Sequence, residues 1–348
     1  MKLTHKERIQ RAIRREPVDR VPTQVNYTHA MGEKLAAHLG VPLDRLPVRM
    51  DNHLVRLDPP DAVRPPCSRR VSEDGRVAYD WWGAGWSTEE EGYFLVDPPL
   101  AGATALEGFS WPDPHAPHLL DETAQFLARY GDQHFCAPNF GFCLFERAWS
   151  LRGFEAFLMD LALNPTFVED LLERITDIQV TLARRFVALG VDGGYFGDDY
   201  GMQKNLLFSP KTWRALFKPR LARMFAVFRE AGLPVILHSD GDIAAILPDL
   251  VEIGMTVLNP VQPEVLDHAW LQRTFGSHLA YYGGVSTQTV LPHGTLAEVR
   301  AAVDECVQTL APDGTGLLLG PSHRLMTDIP LENVDALLAA FAASGESG

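Results

Sequence analysis

Residues 232–243, GLPVILHSDGDI, contain the pattern that decides the fold. A short apolar run is typical of a buried strand, and it ends abruptly at the polar residues His238 and Asp240. A second apolar stretch, IAAILPDLVEIG at 243–254, then predicts a helix. The same order of strand, polar turn and helix recurs through the second half of the chain.

Strand and helix alternate from about residue 121 onward. Strands are predicted at 134–139, 191–197, 234–239, 255–259, 279–284 and 315–320. Helices are predicted at 121–130, 144–160, 165–189, 209–231, 242–252, 264–275, 295–310 and 331–343. Successive strand–helix units predict a parallel sheet, which either a doubly wound sheet or a closed (β/α)8 barrel satisfies. We favour the TIM-type barrel because no glycine-rich nucleotide fingerprint follows any strand.

The first third of the chain departs from this alternation. Thr4 and Glu7 form a capping box, which predicts a helix from there to about Arg15. Residues 58–118 are rich in Pro, Gly and Trp, and they contain an Asp-Gly hairpin signal. We interpret them as an insertion into a single barrel domain of residues 1–348. Trp82 in this insertion is expected either to line a pocket or to pack on the body beneath it.

Composition narrows the possible functions. The 31 Lys and Arg against 45 Asp and Glu give a net charge of −14, which argues against nucleic acid as a partner. No apolar run is long enough to span a membrane, and the charged opening residues lack the apolar centre of a secretion signal. The four cysteines are scattered without a CxxC pair, as is usual in the reducing cytoplasm. We therefore expect a cytoplasmic protein.

Polar residues follow the predicted strands. In a barrel of this type the active site lies at the carboxyl ends of the strands, so these residues are the candidate site. The set comprises Asn26, Asn139, Glu146, Asp198, Asp199, Tyr200, Gln203, His238, Asp240, Asn259, Gln262 and His323.

Three members of this set predict a metal site. Two imidazoles and a carboxylate, from His238, Asp240 and His323, are ligands that zinc accepts with a fourth position left open. Other interpretations remain for each residue. Asp240 could cap the following helix, His238 could hydrogen-bond within the barrel, and His323 could act as a general acid or a substrate donor.

The acids of the set also have structural alternatives. One of Asp198 and Asp199 is expected to accept backbone N–H bonds in its turn while the other faces the cavity. Glu146 could instead pair with Arg147 or Arg152 on its own helix. His53 lies in a predicted loop and is expected to be solvated.

Several segments together resemble the uroporphyrinogen decarboxylase superfamily. They include FGDDYGMQKNLLFSPKTWRALFKPRLARM at 196–224, PVILHSDGDIAAILPDLVEIGMTVLNPVQPE at 234–264 and GLLLGPSHRLMTDIPLENVDAL at 316–337. The resemblance implies a (β/α)8 barrel, for which a homodimer is common. It also implies one of two chemistries: cofactor-free decarboxylation of uroporphyrinogen, or zinc-dependent methyl transfer involving a corrinoid protein.

The resemblance is closer to the methyltransferase branch. The decarboxylases carry an arginine-rich stretch after the first strand, whereas residues 24–35 here read QVNYTHAMGEKL without arginine. The methyltransferases carry His-x-Cys at the strand end and a further Cys at the last strand. His238 matches the family histidine, while Asp240 and His323 stand where the cysteines would be.

The resemblance therefore implies methyl transfer from a small ether or amine donor to a corrinoid carried by a partner protein. A metal at His238, Asp240 and His323 would polarise the heteroatom of the donor. The expected proton donors are Asp198, Asp199, Tyr200 or Glu146, and the expected substrate-binding residues are Asn26, Asn139, Gln203, Asn259, Gln262 and Trp82. The alternatives are a metal-free decarboxylase or lyase acting on a small carboxylated substrate, with His323 as the acid, and a non-catalytic barrel that binds a ligand.

Overall fold

The structure is a computed structural model that describes residues 2–57, 71–89, 91–92 and 94–344. Its strands are β1 (Leu54–Leu57), β2 (Val77–Tyr79), β3 (Gly85–Ser87), β4 (Leu95–Asp97), β5 (Phe135–Phe140), β6 (Gly194–Gly197), β7 (Val235–His238), β8 (Val257–Asn259), β9 (Ala280–Val285) and β10 (Leu317–Pro321). Its helices are α1 (His5–Ile13), α2 (His29–Leu39), α3 (Leu46–Arg49), α4 (Asp121–Tyr130), α5 (Phe145–Arg152), α6 (Phe154–Leu163), α7 (Pro165–Leu189), α8 (Pro210–Leu216), α9 (Lys218–Glu230), α10 (Leu247–Glu252), α11 (His268–Phe275), α12 (Val290–His293), α13 (Leu296–Leu310) and α14 (Leu331–Ala343). Short 3₁₀ helices lie at Leu43–Arg45 and Ala244–Ile246.

Seven strands in the described ranges form one parallel sheet in the order β1-β5-β6-β7-β8-β9-β10. Every crossover from β5 onward contains at least one helix, as parallel pairing requires. The seven strands follow one another in the sheet in the order in which they occur in the chain, so the strand order never reverses at a switch point. This order fits a curled, barrel-like α/β fold and not the doubly wound alternative.

Residues 22–27 lie between the two outer strands of this sheet. The N–H of Leu319 in β10 donates to the carbonyl of Pro22 at 2.8 Å. Toward β1, the side-chain amide of Asn52 binds both the N–H and the C=O of Val25. Among the described residues this segment forms isolated bridges and no regular eighth strand. On the side facing β1, the side-chain amide of Asn52 therefore stands in for a backbone partner of Val25.

Helix boundaries differ from the predictions where glycine or proline interrupts a pattern. The helix predicted at 144–160 is two helices, α5 and α6, separated by Gly153 with a φ of 92°. The helix predicted at 209–231, with a kink expected at Pro219, is divided into α8 and α9 at Phe217, because proline lacks the amide that a continuous helix needs. Helix α2 and strand β1 were not predicted.

The insertion contains a small antiparallel sheet in the order β2-β3-β4. Asp80 beside this sheet forms an ion pair of 2.7 Å with Arg147 on α5, and both side chains are fully buried. Trp82 is 3% exposed, with its ring 5.1 Å from the Arg147 guanidinium carbon. Trp82 therefore packs on the body beneath it, which is the second of the two expectations, and its role in substrate binding stays a prediction. Residues 58–70 of the predicted insertion lie outside the described residues.

The inside of the curled sheet is apolar at its amino-terminal end and polar at its carboxyl end. Leu54, Phe135, Ile236 and Leu318 belong to an inner cluster that Ile9 of α1 closes from below. The next inward positions along the strands include charged and amide side chains, which form the site described below. A search of the described residues finds no helix long and apolar enough to cross a membrane.

Candidate metal centre

His238, Asp240 and His323 converge at the carboxyl end of the sheet. His238 is the last residue of β7, Asp240 follows in the turn, and His323 lies two residues beyond β10. The carboxylate oxygens of Asp240 lie 3.7 Å from Nε2 of His238 and 3.5 Å from Nε2 of His323. One ligand atom from each residue lies within 4.8 Å of the other two. The structure thus brings together the three residues predicted from sequence.

The spacing of these atoms suits a small divalent cation. Tetrahedral zinc with bonds of about 2.0–2.1 Å separates its ligand atoms by about 3.4 Å, close to the two observed distances. The three side chains are 20%, 33% and 35% exposed, so solvent or a substrate can reach the same point. The arrangement fits a three-ligand site with an open position.

A hydrogen-bond network orients the ring of His238. Its Nδ1 lies 2.7 Å from Oδ1 of Asn259, and Nδ2 of Asn259 donates to the carbonyl of Tyr282 at 2.9 Å. The amide orientation of Asn259 is thereby fixed, and its Oδ1 must accept the Nδ1–H of His238. The lone pair of His238 then lies on Nε2, which faces Asp240.

Asn259 therefore differs from its predicted role. It is 4% exposed, and its Oδ1 also accepts the hydroxyl of Tyr195 at 2.8 Å. Both of its amide atoms bond inside the protein, and its Oδ1 orients the ring of His238. Because β7 and β8 pair His238 with Asn259 directly, the register of two short strands creates this contact.

Asp199 lies beside the three candidate ligands. Its Oδ1 accepts the backbone N–H of Asp240 at 2.8 Å and lies 3.9 Å from Nε2 of His238. Desolvation, followed by the negative charge of Asp240, raises the pKa of Asp199 to about 6. Asp199 is the aspartate that faces the mouth, as expected for one of the pair.

Asp198 and Tyr200 are buried structural residues, which corrects their prediction as catalytic groups. The carboxylate of Asp198 accepts the backbone N–H groups of Phe145 at 2.8 Å and Glu146 at 2.7 Å, in the first turn of α5. Tyr200 is fully buried and donates its hydroxyl to the same carboxylate. Asp198 thus caps α5 and holds the start of that helix against the end of β6.

Glu146 reaches the mouth from the first turn of α5. The two arginines with which it could have paired have other partners, since Arg147 binds Asp80 and Arg152 binds Asp160. Desolvation and then the charges of nearby aspartates, with Asp199 first, raise the pKa of Glu146 well above its usual value. These effects favour the protonated form of Glu146 beside the candidate ligands.

Close approach of two backbones sets the position of Asp240. A Cβ on Gly241 would lie 2.4 Å from the carbonyl carbon of Gly201, and the φ of Gly241 is 79°. The N–H of Asp242 donates to the carbonyl of Met202 at 2.7 Å across the same contact. The glycines let the turns after β6 and β7 touch, which places Asp199 and Asp240 together.

The remaining predicted residues are spread around the mouth. Asn26 donates to the hydroxyl of Tyr282 at 2.6 Å on the inner wall, and Asn139 at the end of β5 accepts the N–H of Gly141 at 3.2 Å. Gln203 is exposed on the loop after β6, whereas Gln262 is 6% exposed. Asn26 and Asn139 are thus in the wall, and the burial of Gln262 contradicts its prediction as a substrate-binding residue.

A second group with metal-binding residue types lies beneath the sheet, at the opposite end from the mouth. It comprises His5, Asp51 and His53. The Nε2 of His53 is 2.9 Å from a guanidinium nitrogen of Arg8, and Asp51 binds Arg20. The Nε2 of His5 lies 3.0 Å from Oδ1 of Asp51, so the three residues and the two arginines form one hydrogen-bonded network. His53 is fully buried, which corrects its prediction as a solvated loop histidine.

Sequence analysis missed Arg56, which lies in the unpredicted strand β1. Its register partner is Ala137 of the inner cluster, so it belongs to the inward face of the sheet. Its guanidinium carbon lies 5.3 Å from the centroid of the Tyr195 ring. LVRL shows no alternation of apolar and polar residues, and four residues are too few to separate a strand from a loop by pattern.

Comparison with known proteins identifies the family. The profile of the uroporphyrinogen decarboxylase (URO-D) family matches residues 137–343. The chain belongs to this family. The URO-D match contains Asn139, Glu146, His238 and His323 but stops short of β1. A comparison with curated proteins finds no match.

One solved structure shows the same fold as this URO-D family member. A methyltransferase from Methanosarcina mazei superposes with a TM-score of 0.72 at 21% identity, covering 98% of this chain and 99% of that one. A B12-independent methionine synthase from Shewanella sp. W3-18-1, in complex with selenomethionine, gives a TM-score of 0.48 at 13% identity over 74% of this chain and 70% of that one. The first likeness extends over almost the whole of both chains.

Proposed function

We propose that this chain is a metal-dependent methyltransferase that moves a methyl group from a small ether or amine donor to a corrinoid held by a partner protein. The observation that carries the proposal is the convergence of His238, Asp240 and His323, with ligand atoms within 4.8 Å of one another. A methyltransferase that shares the fold along its full length supports the same reaction class.

The donor set fits zinc. The network behind His238 directs the Nε2 lone pair toward Asp240, and desolvation lowers the pKa of His323 to about 4, so that ring is neutral at pH 7. Two neutral imidazoles and a carboxylate form a harder site than a thiolate set. Zinc bound there supplies Lewis-acid activation of a donor heteroatom.

The chain itself supplies a proton and an oriented pocket. Glu146 lies beside Asp199, and desolvation and the neighbouring carboxylates raise its pKa, so its carboxyl is the group that would protonate the departing heteroatom. Asn26 and Asn139 stand in the polar wall and would orient the substrate. Asp198 takes no part in the proposed reaction, because its carboxylate holds the start of the helix that carries Glu146.

The proposal extends to the organisation of the chain. We interpret residues 22–27 as taking the place of the eighth strand, which makes residues 1–348 one (β/α)8 barrel with an insertion at 58–118. The corrinoid partner would approach over the loops that follow the strands. We place this enzyme in the cytoplasm, with a homodimer as its expected assembly.

Metal analysis tests the proposal directly. Elemental analysis of untagged protein should give about one zinc per chain, and His238→Ala should lose it, since two ligands hold zinc poorly. His293→Ala, an exposed histidine on α12, is the matched control and should keep the metal. Methylation of free cob(I)alamin by methyl ethers and methylamines, followed by absorbance, then tests the reaction. Wild-type protein that takes up no metal even after incubation with zinc would refute the mechanism.

A metal-free decarboxylase or lyase is the second candidate. It is favoured by the family match and by the contact of 3.5 Å between His323 and Asp240, which could act as an acid and its partner. In that case chelators would leave carbon dioxide release from small carboxylic acids unchanged, and His323→Gln would abolish it. Activity that requires zinc decides for the methyltransferase.

A further inference from the structure

Glu91 binds two loops at the carboxyl end of the sheet. It lies in the insertion, on the connection between β3 and β4. One of its carboxylate oxygens accepts the hydroxyl of Thr327 at 2.6 Å, and the other accepts the hydroxyl of Thr28. Thr28 precedes α2, and Thr327 lies on the loop after β10. A single side chain thus joins the insertion to two segments that are far from it in sequence.

The loop after β10 is the one that carries His323. Its backbone is held at Leu325, whose N–H donates to the carbonyl of Asn26 at 2.8 Å and whose carbonyl accepts the N–H of Thr28 at 3.0 Å. Leu325 follows His323 closely in the chain. Glu91 therefore binds the side chain of the same residue, Thr28, whose backbone N–H holds this loop.

The other end of the insertion is anchored on α5. Asp80 forms the buried ion pair with Arg147, and Nε1 of Trp86 donates to the same carboxylate at 3.1 Å. Trp86 is fully buried, with its ring centroid 5.1 Å from that of Phe142. Because α5 also carries Glu146, the insertion connects the helix of the proposed proton donor with the loop of a proposed metal ligand.

The two ends of the insertion differ in their exposure to water. The contacts on α5 are buried, whereas Thr327 is exposed and Glu91 is half-buried. Desolvation acts to raise the pKa of Glu91, but the hydroxyls of Thr28 and Thr327 lower it below its usual value overall. Glu91 is therefore a carboxylate at neutral pH and can accept both hydroxyls at once. Because water can reach these hydrogen bonds, they open more readily than the buried ion pair, and Glu91 is the releasable end.

We propose that Glu91 is a positioning residue that latches the insertion onto the loop carrying His323 and keeps this histidine beside Asp240. The inference rests on the proposed function for the metal, whereas the latch itself does not need one. Contacts that support a metal ligand directly commonly change metal affinity by about 10- to 100-fold. Because Glu91 acts on His323 through the loop, we expect its removal to have a smaller effect.

Hydrogen exchange measured on metal-free protein tests the latch. Glu91→Ala should speed exchange in residues 322–328 by about 10-fold, as expected when one hydrogen bond no longer holds the loop and the N–H of Leu325 opens more often. Glu89→Ala is the matched control, since Glu89 lies on the same connection and pairs with the exposed Arg76. The control should leave exchange in residues 322–328 at the wild-type rate.

Zinc affinity, measured by competition titration, tests the effect on His323. Glu91→Ala should lose about 3- to 10-fold in affinity, and Glu89→Ala should lose none. Thr327→Val removes one donor to the latch and should also weaken zinc binding, whereas Thr327→Ser keeps the hydroxyl and should behave like wild type. This rescue separates a positioning role from a general loss of stability, which urea unfolding of each variant measures.

The outcomes separate this inference from the proposed function. Unchanged exchange of residues 322–328 in a folded Glu91→Ala variant would overturn the latch. Faster exchange with unchanged zinc affinity would overturn the positioning of His323. If wild-type protein binds no zinc, the proposed function is refuted, while faster exchange in Glu91→Ala than in Glu89→Ala would still support the latch.

Discussion

The Nδ1 atom of His238 lies 2.7 Å from Oδ1 of Asn259, and this contact determines which nitrogen of the imidazole faces the candidate metal centre. Asn259 cannot turn its amide around, because its Nδ2 donates to the carbonyl of Tyr282. The bond therefore assigns the histidine tautomer and holds the ring in place. Supporting contacts of this kind commonly affect metal affinity nearly as strongly as the ligands themselves.

Replacing Asn259 should weaken metal binding without removing a ligand. Asn259→Ala removes the acceptor that holds the Nδ1–H of His238, and we expect zinc affinity to fall by about 10- to 100-fold in a competition titration. Asn259→Asp keeps an acceptor oxygen and should retain most of the affinity. Asn205→Ala on the exposed loop after β6 is the control. Equal affinities in wild type and a folded Asn259→Ala would show that the network does not orient His238.

Gly241 should be intolerant of a side chain. An alanine there has an unfavourable φ of 79° and a Cβ only 2.4 Å from Gly201, so the turns carrying Asp199 and Asp240 must separate. Gly190→Ala is a matched control, since its φ is 85° but its Cβ would meet nothing within 4 Å. The control should lose roughly 1–2 kcal/mol of unfolding free energy.

Gly241→Ala should lose a further 1–3 kcal/mol or so, by analogy with overpacked cores, and should also lose zinc affinity. Chemical denaturation and metal titration of the two variants measure both effects. Similar stabilities for Gly241→Ala and Gly190→Ala would mean that the close approach of the two turns is not needed.

His53 should make the protein less stable as the pH falls below neutrality. In the folded chain, desolvation and then the charge of His5 lower the pKa of His53 to about 3. In the unfolded chain the pKa of a histidine is about 6.5. The unfolded chain therefore binds more protons between these values. The free energy of unfolding should fall with decreasing pH through this window, by at most about 1.4 kcal/mol per pH unit from this residue.

His53→Gln removes this titration. Urea unfolding between pH 7 and pH 4.5 should show a shallower loss of stability for His53→Gln than for wild type. The side chain of His29 is 79% exposed, so His29→Gln is the matched control and should keep the wild-type slope. Parallel slopes for all three proteins would contradict a neutral, buried His53.

The buried pair of Arg147 and Asp80 should contribute strongly to the attachment of the insertion. Arg147→Met leaves the carboxylate of Asp80 buried without its cation, and we expect a loss of about 3–5 kcal/mol in unfolding free energy. Arg76→Met breaks an exposed pair with Glu89 and should change stability by about 1 kcal/mol or less. A loss no greater than that of the control would show that the pair is dispensable.

Much of the candidate site could be predicted because local sequence carries strong signals. His238 and Asp240 follow an apolar run, and such a run with its polar end is visible without any partner strand. The alternation from β5 onward was predicted for the same reason, since helix capping and hydrophobic runs depend on near neighbours. The errors lie where a short element has no such signal, as in β1, or where one glycine divides a continuous pattern, as at Gly153.

The sequence by itself determined the order of strands and helices and the residue types available at the strand ends. Only the tertiary structure decided what each residue does. His323 joins His238 because β10 curls to the same mouth, and Asn259 supports His238 because β7 and β8 pair in one register. Trp82 is buried because an insertion packs on α5, and Asp198 caps that same helix across 52 residues of chain. These roles depend on contacts between distant segments, which the closing of the sheet creates and which no local pattern encodes.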